Sequence, residues 1–243
     1  MQLAVVSDVH GNLTAFDAVI ADLERRGVKR VIHGGDLALG GCQPAEVIDR
    51  VRELGWPGVL GNVDELLWAP HEHERQVRRA PKLRALLDLL FFDYAPATLD
   101  LIGPRRLEWL RSLPASHRDS GVFVLHASPG DLWRAPMPES EDSDLFDAYG
   151  SCGADAVVYG HIHRPYVRSL ANLTVANSGS VGSPFDGDAR ASYVLIGDTS
   201  TQIVRVEYDI ERETSLLLGS GYPDACRLAE TRRLGCFVPI GDG

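Results

Sequence analysis

Seven side chains in this sequence carry the donor atoms of a metal site. They fall in five groups: Asp8-x-His10, Gly35-Asp36, Gly61-Asn62, His126 and Gly160-His161-x-His163. Together they offer two carboxylates, one amide oxygen and four imidazoles, with no thiolate. A mixed nitrogen and oxygen set of this kind suits borderline divalent ions such as Mn, Fe, Co, Ni or Zn. Seven ligands are too many for one ion with open positions and suit two ions sharing a carboxylate. Two such ions, about 3.5–4 Å apart, clamp a phosphoryl group and activate a shared water. Taken singly, Asp8 and Asp36 read as helix N-caps after strands, the histidines as satisfied core residues, and Asn62 as a turn residue. Taken together, the metal reading prevails.

The elements around these groups explain how they could meet. "LAVVSD" is a short apolar run that reads as a buried parallel strand. A helix follows, with Leu13, Phe16, Ile20 and Leu23 at helical spacing, Asn12 as N-cap and Gly27 as stop. "VKRVIHGGD" reads as a second strand, "PAEVIDRVREL" as a second helix with Pro44 in its first turn, and "PGVLGNVD" as a third strand. "GVFVLH" and "ADAVVYGHIH" are further strands. Each of these strands ends at one of the polar groups. In an open α/β sheet with right-handed crossovers, ligands bind in the crevice outside the strand C-termini. Residues i and i+2 project the same way at a strand end, so each D-x-H or H-x-H pair can reach one cluster.

Residues 64–113 change character: charged "HEHERQVRR", apolar "LRALLDLLFF" and "RRLEWLRSLP" are helix-rich. The apolar stripe reads as core rather than as an oligomer contact. Behind residue 165 the pattern turns β-rich, and "PYVRSL", "NLTVAN", "ASYVLIG" and "TQIVRVEYD" suggest antiparallel strands of a second sheet. Leu216–Leu218 close a final helix, and the end from about 219 is expected to be loosely held. No repeat or linker divides the chain, so residues 1–243 read as one domain.

The 243 residues carry a net charge of −10 and are 44% hydrophobic. That composition fits a globular protein with a sizeable core. The acidic balance argues against a nucleic-acid or anionic-membrane partner, and no basic stripe offsets it. No stretch approaches the roughly 20 apolar residues of a membrane span, and no basic n-region marks a signal peptide. Cys42, Cys152, Cys226 and Cys236 lack CxxC spacing and read as free thiols in a reducing cytoplasm.

The ordered set DxH, GD, GN-x-D, an isolated His after an apolar strand, and GHxH resembles the calcineurin-like metallophosphoesterases. "SDVHGN" and "NSGSVGSPFDGDARASYVL" are similar to its small bacterial and archaeal phosphodiesterase branch, and the resemblance spans residues 3 to about 208. It implies a two-sheet sandwich flanked by helices, an αββα α/β fold. It implies that Asp8, His10 and His163 hold one ion, that Asn62, His126 and His161 hold the other, and that Asp36 bridges, with Mn the first candidate. It implies direct in-line hydrolysis of a phosphodiester by metal-activated hydroxide, with Asp36, Asn62, Asp64 and His126 as the catalytic set. Many members carry GNHD, where the histidine assists the leaving group; here Val63 takes that place beside Asp64. Losing a positioned general acid typically costs ~10²–10⁴-fold on poor leaving groups. Substrates with good leaving groups are therefore expected.

Phosphomonoesterase and nucleotide or dinucleoside polyphosphate pyrophosphatase activity are the alternatives within the fold, and a protein-interaction scaffold is the alternative outside enzymology. A small phosphate ester or nucleotide is the expected partner. The segment 64–113 is expected to act as a cap that selects substrate. His33 reads as core, although it is a candidate substitute acid. His71 and His73 read as a solvated face, Trp133 and Arg134 as rim residues of a pocket, and "NSGSVG" as a tight turn with N–H donors near the metals.

Overall fold

The computed structural model describes residues 2–198 and 200–240. Its strands form two sheets. The first has four strands in the order β2 (Arg30–His33), β1 (Leu3–Val6), β8 (Ala191–Ile196), β9 (Thr201–Val206). The second has five: β3 (Ser116–Asp119), β4 (Val122–Leu125), β5 (Ala156–Tyr159), β7 (Thr174–Asn177), β6 (Tyr166–Ser169). Strands β1 and β2 are parallel, as are β4–β5 and β5–β7; the other pairs are antiparallel.

The period-2 alternation of strands makes the layers. Leu3 and Val5 of β1 face the second sheet and pack with Ile32, Val124, Val158 and Ala176. Ala4 and Val6 face the other way, against α1 (Leu13–Arg25), α2 (Pro44–Leu54) and the C-terminal helices. The outer face of the second sheet packs Val157 and Tyr159 against Leu145 and Tyr149 of α7 (Asp142–Tyr149). The result is the expected two-sheet α/β sandwich flanked by helices. Among the described residues no helix is long and apolar enough to cross a membrane.

Three expectations are corrected. Residues 57–62 are no strand: only Gly58 bridges His33, because Leu60 N–H turns away to the Pro114 carbonyl. Strands β8 and β9 do not join a second sheet. They extend the first, where β8 pairs with β1 from Leu3↔Ile196 to Val5↔Val194. From 219 to Leu234 the chain is not loose. It folds into α9 (Ala225–Leu234), which packs on α8 (Ile210–Gly219) and buries Arg232.

The helix-rich segment is built from a short α3 (Asn62–Glu65), α4 (Glu72–Arg79), α5 (Arg84–Leu89), a π turn over Leu90–Tyr94, and α6 (Ala95–Arg111). Helix α6 breaks at Gly103, whose φ of 67° and ψ of 172° precede Pro104. Buried Leu87, Phe91, Tyr94 and Ile102 join the core on the α1 side.

Candidate metal centre

The residues that follow β1, β2, β4 and β5 converge. Backbone bonds lace the loops together: Asp8 N–H donates to the Gly35 carbonyl and His10 N–H to the Asp36 carbonyl, both at 3.1 Å. The geometry at these strand ends is unusual. Asp8, His10, Asp36, His161 and His163 all have φ between 50° and 68°. They are five of the seven non-glycine residues in that region among the described residues. Left-handed backbone of this kind clusters where the surrounding fold over-determines a site. Two glycines let the carboxylates in. A Cβ on Gly61 would lie 2.0 Å from Asp36 Oδ1, and one on Gly160 would lie 2.2 Å from Asp8 Oδ2.

All seven candidate ligands meet here. His10 Nε2 lies 3.1 Å from His163 Nε2, and His163 Nε2 lies 3.2 Å from Asp8 Oδ1. On the other side, His126 Nε2 lies 2.8 Å from Asn62 Oδ1 and 3.2 Å from Asp36 Oδ2. His161 Nδ1 reaches the same Asn62 oxygen at 2.9 Å. Two groups of three have donor atoms within 4.8 Å of one another: Asp8, His10 and His163, and Asp8, Asp36 and His126. Asp8 belongs to both, so its carboxylate is placed to be shared, whereas Asp36, the expected bridge, groups only with Asp8 and His126.

Three of the imidazoles are aimed by backbone. Nδ1 of His10 donates to Leu39 O at 2.6 Å, that of His126 to Gly34 O at 2.8 Å, and that of His163 to Ser183 O at 2.5 Å. Such outer bonds fix the tautomer and turn the other nitrogen inward. With both Nδ1 atoms donating outward, His10 and His163 turn their Nε2 atoms toward each other across 3.1 Å. A divalent ion held between the two nitrogens and Asp8 Oδ1, itself 3.2 Å from His163 Nε2, relieves that contact, as a proton there also would. The donor set therefore fits a divalent ion.

Electrostatics agree. Burial, and then His163, pushes His10 down to about 4; burial, and then His126, does the same to His161. Both rings are neutral and ready to ligate at pH 7. Burial disfavours charge on Asp36, but the neighbouring His126 outweighs it and holds the carboxyl well below the usual range. Burial likewise lowers His126, yet Asp36 beside it raises the ring to about 9, so at pH 7 His126 carries a proton that an ion must displace on binding.

Asp64 sits behind this layer. It is buried, and its carboxylate accepts the N–H groups of Leu37 and Ala38 at 3.1–3.2 Å. It holds the loop after Asp36 and does not reach the donor cluster through these bonds. Asn12 caps α1 by accepting Ala15 N–H at 2.9 Å, and its amide also donates to Gly182 O. The N–H donors of "NSGSVG" are taken up within the fold: Val181 donates to Ser7 O and Gly182 to Asp8 O, both at 3.0 Å, while Gly179 and Ser180 donate to the side chains of Asn177 and Ser192. That turn braces β1 from beneath.

His33 is buried against Trp109 and joins none of the seven. His71 is exposed, but His73 is not solvated: it is buried and bonds Asp88 Oδ1 at 2.6 Å. His117 lies in β3 opposite Val124. Trp133 stacks on Phe91 at 6.1 Å and 14°. The sequence reading missed Arg232. This side chain, 1% exposed, reaches from α9 to the carbonyls of His10, Gly40 and Gly182 and to Glu213 Oε1. It also missed Phe185, whose ring stacks on His163 at 4.3 Å.

The chain has relatives. Residues 1–202 match the family model of the calcineurin-like phosphoesterase superfamily domain. An uncharacterized protein of Methanocaldococcus jannaschii is 31% identical over 245 residues, covering 91% of this chain and 94% of that protein. A symmetrical bis(5′-nucleosyl)-tetraphosphatase of Thioalkalivibrio sulfidiphilus is 29% identical over 150 residues, covering 60% of this chain and 52% of that protein. The crystal structure of a metallophosphoesterase from Sphaerobacter thermophilus superimposes with a TM-score of 0.76 at 26% identity, over 97% of this chain and 99% of its own. The structure of a hypothetical protein from Pyrococcus horikoshii gives 0.79 at 19% identity, over 99% of both chains.

Proposed function

The chain belongs to the calcineurin-like phosphoesterase superfamily and is a metal-dependent phosphoric ester hydrolase, and from that premise we propose that it cleaves phosphodiesters at the cluster around Asp8. The ions would be held by Asp8, His10 and His163 on one side and by Asn62, His126 and His161 on the other, with Asp36 and Asp8 between them. Such ions, when bound, offset phosphoryl charge and lower the pKa of a shared water. They also answer how a protein of net charge −10 holds an anion at all.

The protein's own side chains do the positioning. Gly34, Leu39 and Ser183 carbonyls hold the three rings at fixed angles, and Asp64 fixes the loop that carries Asp36. Preorganisation of this kind leaves little to rearrange during the reaction. No histidine follows Asn62. Val63 is buried there and turns its backbone N–H to Asp36 Oδ1 at 3.0 Å.

One observation carries the diester reading. His10 and His163 face the ion cluster on one side and an apolar pocket on the other, with Val63 and Leu90 in its wall. A monoester brings two negative charges and one organic group, and such a wall rewards neither charge. A diester brings one charge and a second organic group that the wall can cover. A second reading, cleavage of dinucleoside polyphosphates, draws on the tetraphosphatase relative. It suits Val63 as well, since a phosphate leaves without help from a general acid. Metal-stripped protein, reloaded with Mn, is to be assayed on bis-(p-nitrophenyl) phosphate and p-nitrophenyl phosphate, with Asp36→Asn as control. Faster metal-dependent turnover of the diester supports the proposal. Turnover of the monoester alone refutes it.

A further inference from the structure

The pocket beside the ion cluster has a definite chemistry. It offers about 90 Å³ of space and an almost wholly apolar lining. Its aromatic faces come from two segments outside the strand-end motifs. Phe185 stacks on His163 with 25° between the rings, and Phe237 meets Phe185 edge-on at 5.7 Å. Leu90 of the π turn adds to the apolar lining. One edge is polar. The Tyr94 hydroxyl donates to Asp224 Oδ2 at 3.0 Å and accepts from Arg227 at 2.8 Å. The Arg227 guanidinium bonds Asp224, Tyr94 and the Val238 carbonyl and lies 5.7 Å over the Phe237 ring. Its bonds order the edge of the pocket and hold the chain after α9 in place, so the pocket stands preformed.

We infer that this pocket seats a nucleobase of the substrate against the Phe185–Phe237 pair, stacked on one ring and edge-on to the other, while the attached phosphate lies at the cluster of Asp8, His10 and His163. The inference rests on the phosphodiesterase reading for the phosphate and on the pocket alone for the base. An aliphatic chain can pack on these rings but offers no polar atom to the tyrosine edge. A heteroaromatic base uses both, because every base has a π-face and polar rim atoms. The geometry also explains why the helix-rich segment and the C-terminal helix lie where they do. Leu90 and Tyr94 come from the former, Arg227 from the latter and Phe237 from the chain just beyond it, and the four line this pocket together.

The test compares two ligands that cannot be hydrolysed and differ only in the base: the 5′-methylenephosphonates of adenosine and of ribose. Their affinities for the metal-loaded protein are to be read by calorimetry, in parallel with bis-(p-nitrophenyl) phosphate turnover. Stacking of one base is worth about 5- to 150-fold in affinity, so the adenosine compound is expected to bind at least about fivefold tighter. Phe237→Ala removes an exposed ring, and Leu90→Trp fills the pocket; each is expected to bring the ratio toward one. Equal affinities in the wild type overturn the inference, as does a preference that survives both variants. Diester turnover with equal affinities refutes the pocket and leaves the phosphodiesterase reading standing. A base preference lost in both variants, with no diester cleaved, supports the pocket and refutes that reading.

Discussion

Arg232→Met is expected to damage both stability and the site, because of what the arginine touches. The guanidinium is fully enclosed and donates to Glu213 Oε1 at 2.6 Å, Gly40 O at 3.1 Å, and His10 O and Gly182 O at 3.3 Å. Removing it strands a carboxylate that is itself 0% exposed and whose Oε2 bonds nothing. Breaking one partner out of a buried pair costs roughly 3–5 kcal/mol. A domain has only about 5–15 kcal/mol in total, so the variant is expected to be marginally folded at 37 °C. Methionine fills much of the arginine's volume, which keeps cavity formation out of the comparison. The assay is guanidinium chloride unfolding at pH 7, with the double variant Glu213→Gln/Arg232→Met beside the single one. Neutralising the stranded carboxylate is expected to recover about 1–3 kcal/mol, the usual penalty for an unsatisfied buried group. A single variant that loses less than about 1 kcal/mol, or a double variant that recovers nothing, refutes this reasoning about the pair.

Other outcomes follow from the same geometry. Gly160→Ala would place a methyl 2.2 Å from Asp8 Oδ2; metal affinity is expected to fall about 10- to 100-fold, as when an outer support of a ligand is lost, measured by competition with a chelating dye. Val63→His places a donor beside Asn62. Wild-type rates are expected to fall steeply from nitrophenyl to alkyl esters, and the variant to narrow that gap by about 10²-fold, the low end for a positioned acid; an unchanged gap speaks against Val63 as its cause. The Asp188 carboxyl, bonded by Arg190, is held down to about 2. Its contribution to stability is present above the unfolded value near 4 and is lost as pH falls toward 2. Unfolding midpoints of Asp188→Asn should therefore match wild type at pH 2 and fall slightly below it at pH 6, by under about 1 kcal/mol for so accessible a pair.

The ligands were legible because each stands at the end of an apolar run, where a polar residue has no packing reason to be. Asp8 after "LAVV" and His161 after "AVVY" are the plainest cases. What escaped reading was long-range or disguised. Strand β3 is "SHRD", a polar sheet edge with half its side chains exposed, and carries no hydrophobic period. The pairing of β8 with β1 joins residues nearly the whole chain apart, and no local pattern encodes it. Arg232 lies in "RLAETRRL", which reads as a solvated helix face; only the tertiary fold shows a buried partner in Glu213 and three carbonyls to receive it. His73 misled in the same way, since its partner Asp88 sits on the next helix. The aromatic pocket has two sources, the loop after β7 that carries Phe185 and the chain beyond α9 that carries Phe237, and neither aromatic sits in a metal-ligand motif.

The account rests on two ions in one cluster. The direct measurement is metal content by plasma mass spectrometry after apo-protein is reloaded with Mn and desalted, for wild type, Asp8→Asn and His126→Ala. The account predicts about two ions per wild-type chain at a dinuclear site, about one in His126→Ala, and one or none in Asp8→Asn, with diester turnover falling in step. A wild-type chain that retains no metal yet hydrolyses the diester, or variants that keep the full complement, would contradict it.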